Sequence, residues 1–141
     1  VKSINYLMGI WLQQKVMEQN AADVLYHYNG IVSEFPRANV FIVTKQGKLV
    51  TPAEGILKGI TRMKLLEMTK DNFEIEVRAV HLDEVKEAAE VFMTSTTKRI
   101  LPIHQVDDAV IGEGKAGPIT TLLNDLFLKM EEQAATVTET L

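Results

Sequence analysis

Asn29-Gly30 sits between two short runs of strand-forming residues, 24–28 and 31–34, and leaves the chain few options there. Both turn residues tolerate positive φ, which a two-residue hairpin loop requires. Antiparallel strands are therefore expected early, and the following sequence keeps the strand habit. Residues 39–44 read as a third strand, turned by Lys45-Gln46-Gly47-Lys48 into Leu49-Val50. Phe73, Ile75 and Val77 alternate with Glu74, Glu76 and Arg78, the period of a half-buried strand. Residues 90–93 and 99–105 read as two more strands around a polar turn.

Helical periodicity is confined to a few places. Ile4, Leu7, Met8, Trp11 and Leu12 predict an amphipathic helix over residues 4–19. A short helix is expected after Gly59, with Ile60, Met63 and Leu66 on one face, and another over 83–89. Gly117-Pro118 opens the last helix, with proline at a tolerated early position. Its apolar stripe is Ile119, Leu122, Leu123, Leu126, Phe127 and Met130. The stripe is lost from residue 131, so the tail is expected to fray. Strands outnumber helices, which places the chain in the α+β (mixed α/β) class.

At 141 residues the chain suffices for one domain with a real core. A formal charge of -4 argues against nucleic acid as the primary partner. No apolar run approaches the roughly 20 residues of a membrane helix, and no basic-then-apolar signal segment stands at the start. Cysteine is absent, so there is no disulfide framework and no thiolate site. His27, His81 and His104 are dispersed without metal-ligand spacing. A cytoplasmic protein is the expectation. Val1 is not an initiator methionine, so a processed, nicked or fragmentary chain is expected too.

Several polar residues invite chemistry. Lys2 stands just before the first expected helix, which would fix its position, and a covalently acting lysine needs both a fixed position and a lowered pKa. Glu34 ends a strand. Gly59-Ile60-Thr61 opens a helix, whose first amides have no internal partners and carry partial positive charge, a ready anion site. Thr94-Ser95-Thr96-Thr97 clusters hydroxyls after an apolar strand. Taken singly, each has a plainer role: frayed terminus, exposed carboxylate, helix cap, turn.

The motifs gain weight together. Lys2-Ser3-Ile4-Asn5-Tyr6-Leu7, Ser33-Glu34 followed by Asn39-Val40-Phe41, Gly59-Ile60-Thr61-Arg62, and Phe92-Met93-Thr94-Ser95-Thr96-Thr97 come in this order. At these spacings the chain resembles the fold type IV pyridoxal-phosphate enzymes, the group of the branched-chain and D-amino acid aminotransferases. The segment from Ile111 to Pro118, followed by Thr121, Leu122 and Phe127, resembles the closing segment of that family. The resemblance covers nearly all of residues 1–130.

That resemblance implies the C-terminal, cofactor-binding domain of the D-amino acid aminotransferase-like fold over residues 1–130, with a tail over 131–141. The smaller N-terminal domain would be missing or on another chain, and the parent would be a homodimer. It implies pyridoxal 5′-phosphate as cofactor and amino-group transfer between an amino acid, branched-chain or D, and a 2-oxo acid. Lys2 would be the catalytic lysine that holds the cofactor and moves the proton. Tyr6 would donate to the cofactor phenolate oxygen. Glu34 would face the pyridine nitrogen and keep it protonated, while Leu57 packs on the ring. Gly59, Ile60 and Thr61, with Ser95 and Thr96, would hold the phosphate. Amides near Thr96 and Thr97 would meet the substrate carboxylate.

The sequence departs from the pattern in two places. Phe35-Pro36-Arg37-Ala38 stands where the family has a small, glycine- or serine-rich linker. Arg37 there either binds a substrate carboxylate or pairs with a surface acid. Lys98 and Arg99 replace residues that are often smaller or acidic. Two other readings remain open: a lyase of the aminodeoxychorismate lyase kind, and an isolated, non-catalytic domain fragment.

Overall fold

The computed structural model describes residues 23–140, and these fold into ten strands and three helices. The order is β1 (His27–Tyr28), β2 (Ile31–Val32), β3 (Glu34–Phe35), β4 (Ala38–Val43), β5 (Leu49–Thr51), α1 (Ile60–Thr69), β6 (Ile75–Val77), α2 (Leu82–Glu87), β7 (Glu90–Ser95), β8 (Arg99–Ile103), β9 (Gln105–Val106), β10 (Ala109–Val110) and α3 (Pro118–Thr140). This is the mixed α/β architecture that the patterning predicts. The helix expected over 4–19 lies outside the described residues.

The main sheet runs β6-β5-β4-β7-β8, with β3 paired to β4. Every pair in it is antiparallel except β5 with β6. Strand alternation on β4 and β7 divides the apolar side chains between two faces. Val40, Ile42, Val91 and Met93 join Val32, Phe35, Val80, Val85 and Ile111 in one core. Phe41, Val43 and Phe92 join Leu65 of α1 and Leu123 and Phe127 of α3 in the other. The Phe41 and Phe92 rings stack at 5.2 Å with planes 3° apart. Burying each such ring stabilises the fold by roughly 1.5–3 kcal/mol.

The α1/α3 face is graded along the β4–β7 ladder. Its cross-strand pairs are Asn39 with Thr94, Phe41 with Phe92, and Val43 with Glu90. The middle pair is core. At the far end Glu90, only 7% exposed, caps α3: Ile119 N and Thr120 N donate to its carboxylate at 3.2 and 2.8 Å. A carboxylate there satisfies open amides and meets the positive end of the helix dipole. The near end of the ladder carries the polar pair Asn39 and Thr94.

Some expectations fail in instructive ways. The inward face of α1 is Thr61, Arg62, Leu65 and Thr69, while Ile60 and Met63 are 62% and 56% exposed. Polar anchoring overrides the apolar stripe: Arg62 Nη2 donates to Pro52 O at 3.2 Å, and Thr69 Oγ1 to Leu65 O at 2.8 Å. The segment Phe35-Pro36-Arg37-Ala38 is not a linker but a hairpin, with Phe35 opposite Ala38 and Pro36-Arg37 as its loop. The strand expected over 99–105 breaks after Ile103, and a second hairpin, β9–β10, follows. The last helix does not end with its stripe at Met130 but continues to Thr140. Within that stripe Leu123 and Phe127 are buried, whereas Leu122 and Leu126 are 48% and 41% exposed.

Candidate functional site

Glu34, Asn39 and Thr94 occupy matching positions on β3, β4 and β7, because Glu34 pairs with Asn39 and Asn39 with Thr94. Residues paired across strands put their side chains on the same face. This polar row is the floor of a cleft of about 190 Å³. The loop that leads into α1 lies along it. Leu57 N donates to Glu34 Oε2 at 3.0 Å, Asn39 Nδ2 donates to Leu57 O at 2.8 Å, and Gly59 N donates to Asn39 Oδ1 at 3.2 Å.

Of the residues expected in a site, Glu34, Arg37, Leu57, Gly59, Ile60, Thr61, Ser95 and Thr96 line this one cleft. Thr97 does not line it. Lys2 and Tyr6 lie outside the described residues. Segments separated by 20 to 60 positions thus meet because β4 and β7 are neighbours and α1 starts beside their polar ends.

The two ends of the cleft have opposite character. At one, the Glu34 carboxylate is partly buried, and burial raises its pKa above the usual carboxylate value, with the Leu57 N–H bond pulling the other way. Both hydrogen bonds to Glu34 reach Oε2. Oε1 accepts none among the described residues. At the other end α1 begins. Its first internal bond runs from Met63 N to Gly59 O at 3.1 Å, no side chain among the described residues caps it, and no acidic residue stands in its first turn. The N–H groups of Ile60 and Thr61 are therefore free to bind an anion. The β7–β8 turn closes this end, with Lys98 N donating to Ser95 Oγ at 3.0 Å.

Three details refine the expected roles. Gly59 does not lend its own amide to an anion, since that N–H is held by Asn39. Arg37 is exposed at the hairpin tip, without an acidic partner among the described residues. Arg99, at φ +57, pairs with Glu131, which accepts from its Nε at 2.6 Å. No group of three His, Cys, Asp or Glu side chains among the described residues could hold a metal ion.

A family model described as amino-transferase class IV matches residues 1–106. The chain belongs to the class IV aminotransferases. Curated relatives of this class IV chain include a D-alanine aminotransferase of Bacillus licheniformis, 40% identical over 85% of this chain and 43% of the relative. The branched-chain-amino-acid aminotransferase-like protein 1 of Arabidopsis thaliana is 38% identical over 92% of this chain and 24% of its own length. Among solved structures, the branched-chain amino acid aminotransferase from Thermobaculum terrenum, in its PLP-form, superposes with a TM-score of 0.78. It is 32% identical, with 83% of this chain and 39% of that one covered. The Escherichia coli branched-chain enzyme gives a TM-score of 0.80 at 29% identity, covering 87% of this chain and 43% of that one. The class IV chain thus spans less than half the length of these relatives.

Motif reading of this class IV chain missed Asn39 and Thr94 as site residues. Asn39 is 4% exposed and Thr94 1% exposed, and Thr94 Oγ1 is buried without a hydrogen-bond partner among the described residues. Their signal was faint: two polar residues at strand positions that the alternation assigns to the same face as Phe41 and Phe92.

Proposed function

We propose that this chain is the cofactor-binding part of a pyridoxal-phosphate-dependent aminotransferase that moves an amino group between an amino acid and a 2-oxo acid. The observation that carries this reading is the two-ended cleft. A half-buried carboxylate, one of whose oxygens has no partner among the described residues, lines it at one end, and helix amides open among the same residues line it at the other. A pyridine ring bearing a phosphate has that polarity. The chemistry of the donors therefore fits the group.

In this reading Glu34 Oε1 accepts the ring N–H. The amides of Ile60 and Thr61, the Thr61 hydroxyl and the Ser95-Thr96 turn hold the phosphate, and Leu57 covers the ring. Bound there, the cofactor supplies an electron sink for the charge left when the substrate loses its α-proton. Lys2 holds the cofactor and carries that proton through its Nζ. Tyr6 donates to the phenolate oxygen. The backbone amides near Thr96 and Thr97 take the substrate carboxylate. Arg37 at the cleft rim favours substrates with a second carboxylate.

The domain reading extends this. Residues 1–130 form the large domain and 131–141 its tail. An N-terminal domain completes the pocket, and the parent is a cytoplasmic homodimer. The coverage of the relatives supports a further part of the protein. No described helix is long and apolar enough to cross a membrane.

The test is an absorbance titration of the chain with pyridoxal 5′-phosphate, followed by borohydride reduction and peptide mapping. A near-visible band with the adduct on Lys2 is expected. An adduct on another lysine, or no band even with the N-terminal part supplied, overturns the proposal.

A further inference from the structure

Asn39 touches both ends of the cleft. Its side chain is almost wholly enclosed, and three of its polar contacts run to groups that matter there. Nδ2 donates to Leu57 O at 2.8 Å and lies 3.5 Å from Glu34 Oε2, while Oδ1 accepts from Gly59 N at 3.2 Å. Gly59 directly precedes the open amides of α1. Asn39 stands on β4 with a strand partner on each side, Glu34 of β3 and Thr94 of β7. One rigidly mounted amide therefore grips the carboxylate end and the helix-start end together.

Gly59 gives a second, independent sign. Its backbone, at φ -68 and ψ 154, is open to any residue. Turn geometry does not demand glycine here. Space does: a Cβ on Gly59 would lie 2.7 Å from Asn39 Oδ1. The missing side chain is what lets Asn39 reach the helix start.

We infer that Asn39 is a positioning residue that fixes the distance between the Glu34 carboxylate and the anion-binding amides of Ile60 and Thr61, and so sets the length of ligand the cleft accepts. The inference rests on the cofactor reading above. A ligand that must satisfy both ends gains its affinity from their preset spacing. A ligand that uses one end gains nothing from it.

The test uses the 141-residue chain and two probes. Pyridoxamine 5′-phosphate spans both ends and forms no covalent link to a lysine. Inorganic phosphate uses one end. In calorimetric titrations Asn39→Ala should weaken pyridoxamine phosphate by about 10- to 100-fold while changing phosphate affinity less than about threefold. Equal losses for both probes, or no loss for either, overturn the inference, because a merely structural role moves both alike. A ligand-free double-mutant cycle guards against a variant that folds poorly. Gly59→Ala should lower Tm clearly in the parent chain and hardly at all beside Asn39→Ala, where the collision is gone. Additive effects in that cycle overturn it as well. A parent chain that binds pyridoxamine phosphate no better than phosphate sinks the cofactor reading, and with it the ligand-length role. The cycle then reports only on the grip of Asn39 on Gly59.

Discussion

Glu34 is held where its charged form is costly. Its carboxyl is half-buried beside Leu57, and burial pushes its pKa up. A raised folded pKa gives stability that is fully present below the ordinary glutamate value and is lost as pH rises through the folded value. Glu34→Gln, neutral at every pH, should therefore make the ligand-free chain more resistant to urea at pH 7, with the gain fading as both proteins are taken to about pH 4. The same change should weaken pyridoxamine phosphate, since a neutral amide no longer holds the ring nitrogen protonated. In a complete enzyme it should slow proton abstraction by orders of magnitude. Matching urea curves at both pH values would mean that burial does not penalise the Glu34 charge, and unchanged binding would show that Glu34 does not face a ring nitrogen. Arg37, exposed on the hairpin loop, has the opposite character and no acid holding it among the described residues. Arg37→Ala in the complete enzyme should lower kcat/KM for dicarboxylic substrates far more than for leucine-like ones, because a site built to pair a charge discriminates more strongly than the roughly 1–3 kcal/mol of one methylene. Equal falls for both substrate classes would make it a surface residue. These two side chains were legible as cleft residues through the family resemblance and not through strand or turn patterning, since Glu34 opens β3 and Arg37 sits in a hairpin loop that residue order did not announce. The grip of Asn39 on Leu57 and Gly59, 18 and 20 positions away, leaves no periodicity to read.

Elements take their positions from polar contacts at their ends as much as from apolar faces. The strands were readable because unbroken apolar runs, Val40 to Val43 and Val91 to Met93, mark β4 and β7, and because Asn29 and Gly30 take the positive φ of 50 and 81 that their hairpin needs. Helix α1 lies where it was expected, but its buried face was not the expected one. Its buried face, with Thr61, Arg62 and Thr69, is not an apolar stripe, and Arg62 is held against Pro52 although its Nε finds no partner among the described residues. Helix α3 shows the same logic more cleanly. Its start is fixed by Glu90, a residue of β7 that no local capping pattern would flag, and Gly117 packs so tightly on that carboxylate that any side chain would collide with it. Glu90→Ala should uncap Ile119 and Thr120 and cost about 1–2 kcal/mol, in the range of other lost caps. Chemical denaturation measures it. A loss under about 0.5 kcal/mol, typical of surface changes, would mean that packing alone sets the start of α3.

Across the molecule, one ladder serves three purposes in sequence: site at Asn39 and Thr94, core at Phe41 and Phe92, helix anchor at Val43 and Glu90. Stability and binding should then be separable by position along it. Helix α3 spans the contrast, since its buried side is core while Glu131 reaches back to Arg99 at the start of β8, beside the turn that carries Ser95 and Thr96. Leu123→Ala, at a fully buried core position, should cost about 2–5 kcal/mol of folding stability. It should leave pyridoxamine phosphate affinity within about twofold, when measured where the variant is still folded. Glu131→Gln should do the reverse. The pair is partly exposed, with side chains 44% and 32% accessible, so its loss should cost no more than about 1 kcal/mol of stability. Arg99 sits at φ +57, a conformation that a non-glycine residue keeps only when its surroundings hold it there. Released from Glu131, the turn should relax, and phosphate-bearing ligands should bind several-fold more weakly. Urea curves and titrations on the two variants give four numbers. If both lose stability and affinity in proportion, the site does not stand apart from the core along the ladder. If Glu131→Gln changes neither, the Arg99 ion pair is a surface contact and the turn holds its shape through β7 and β8 alone.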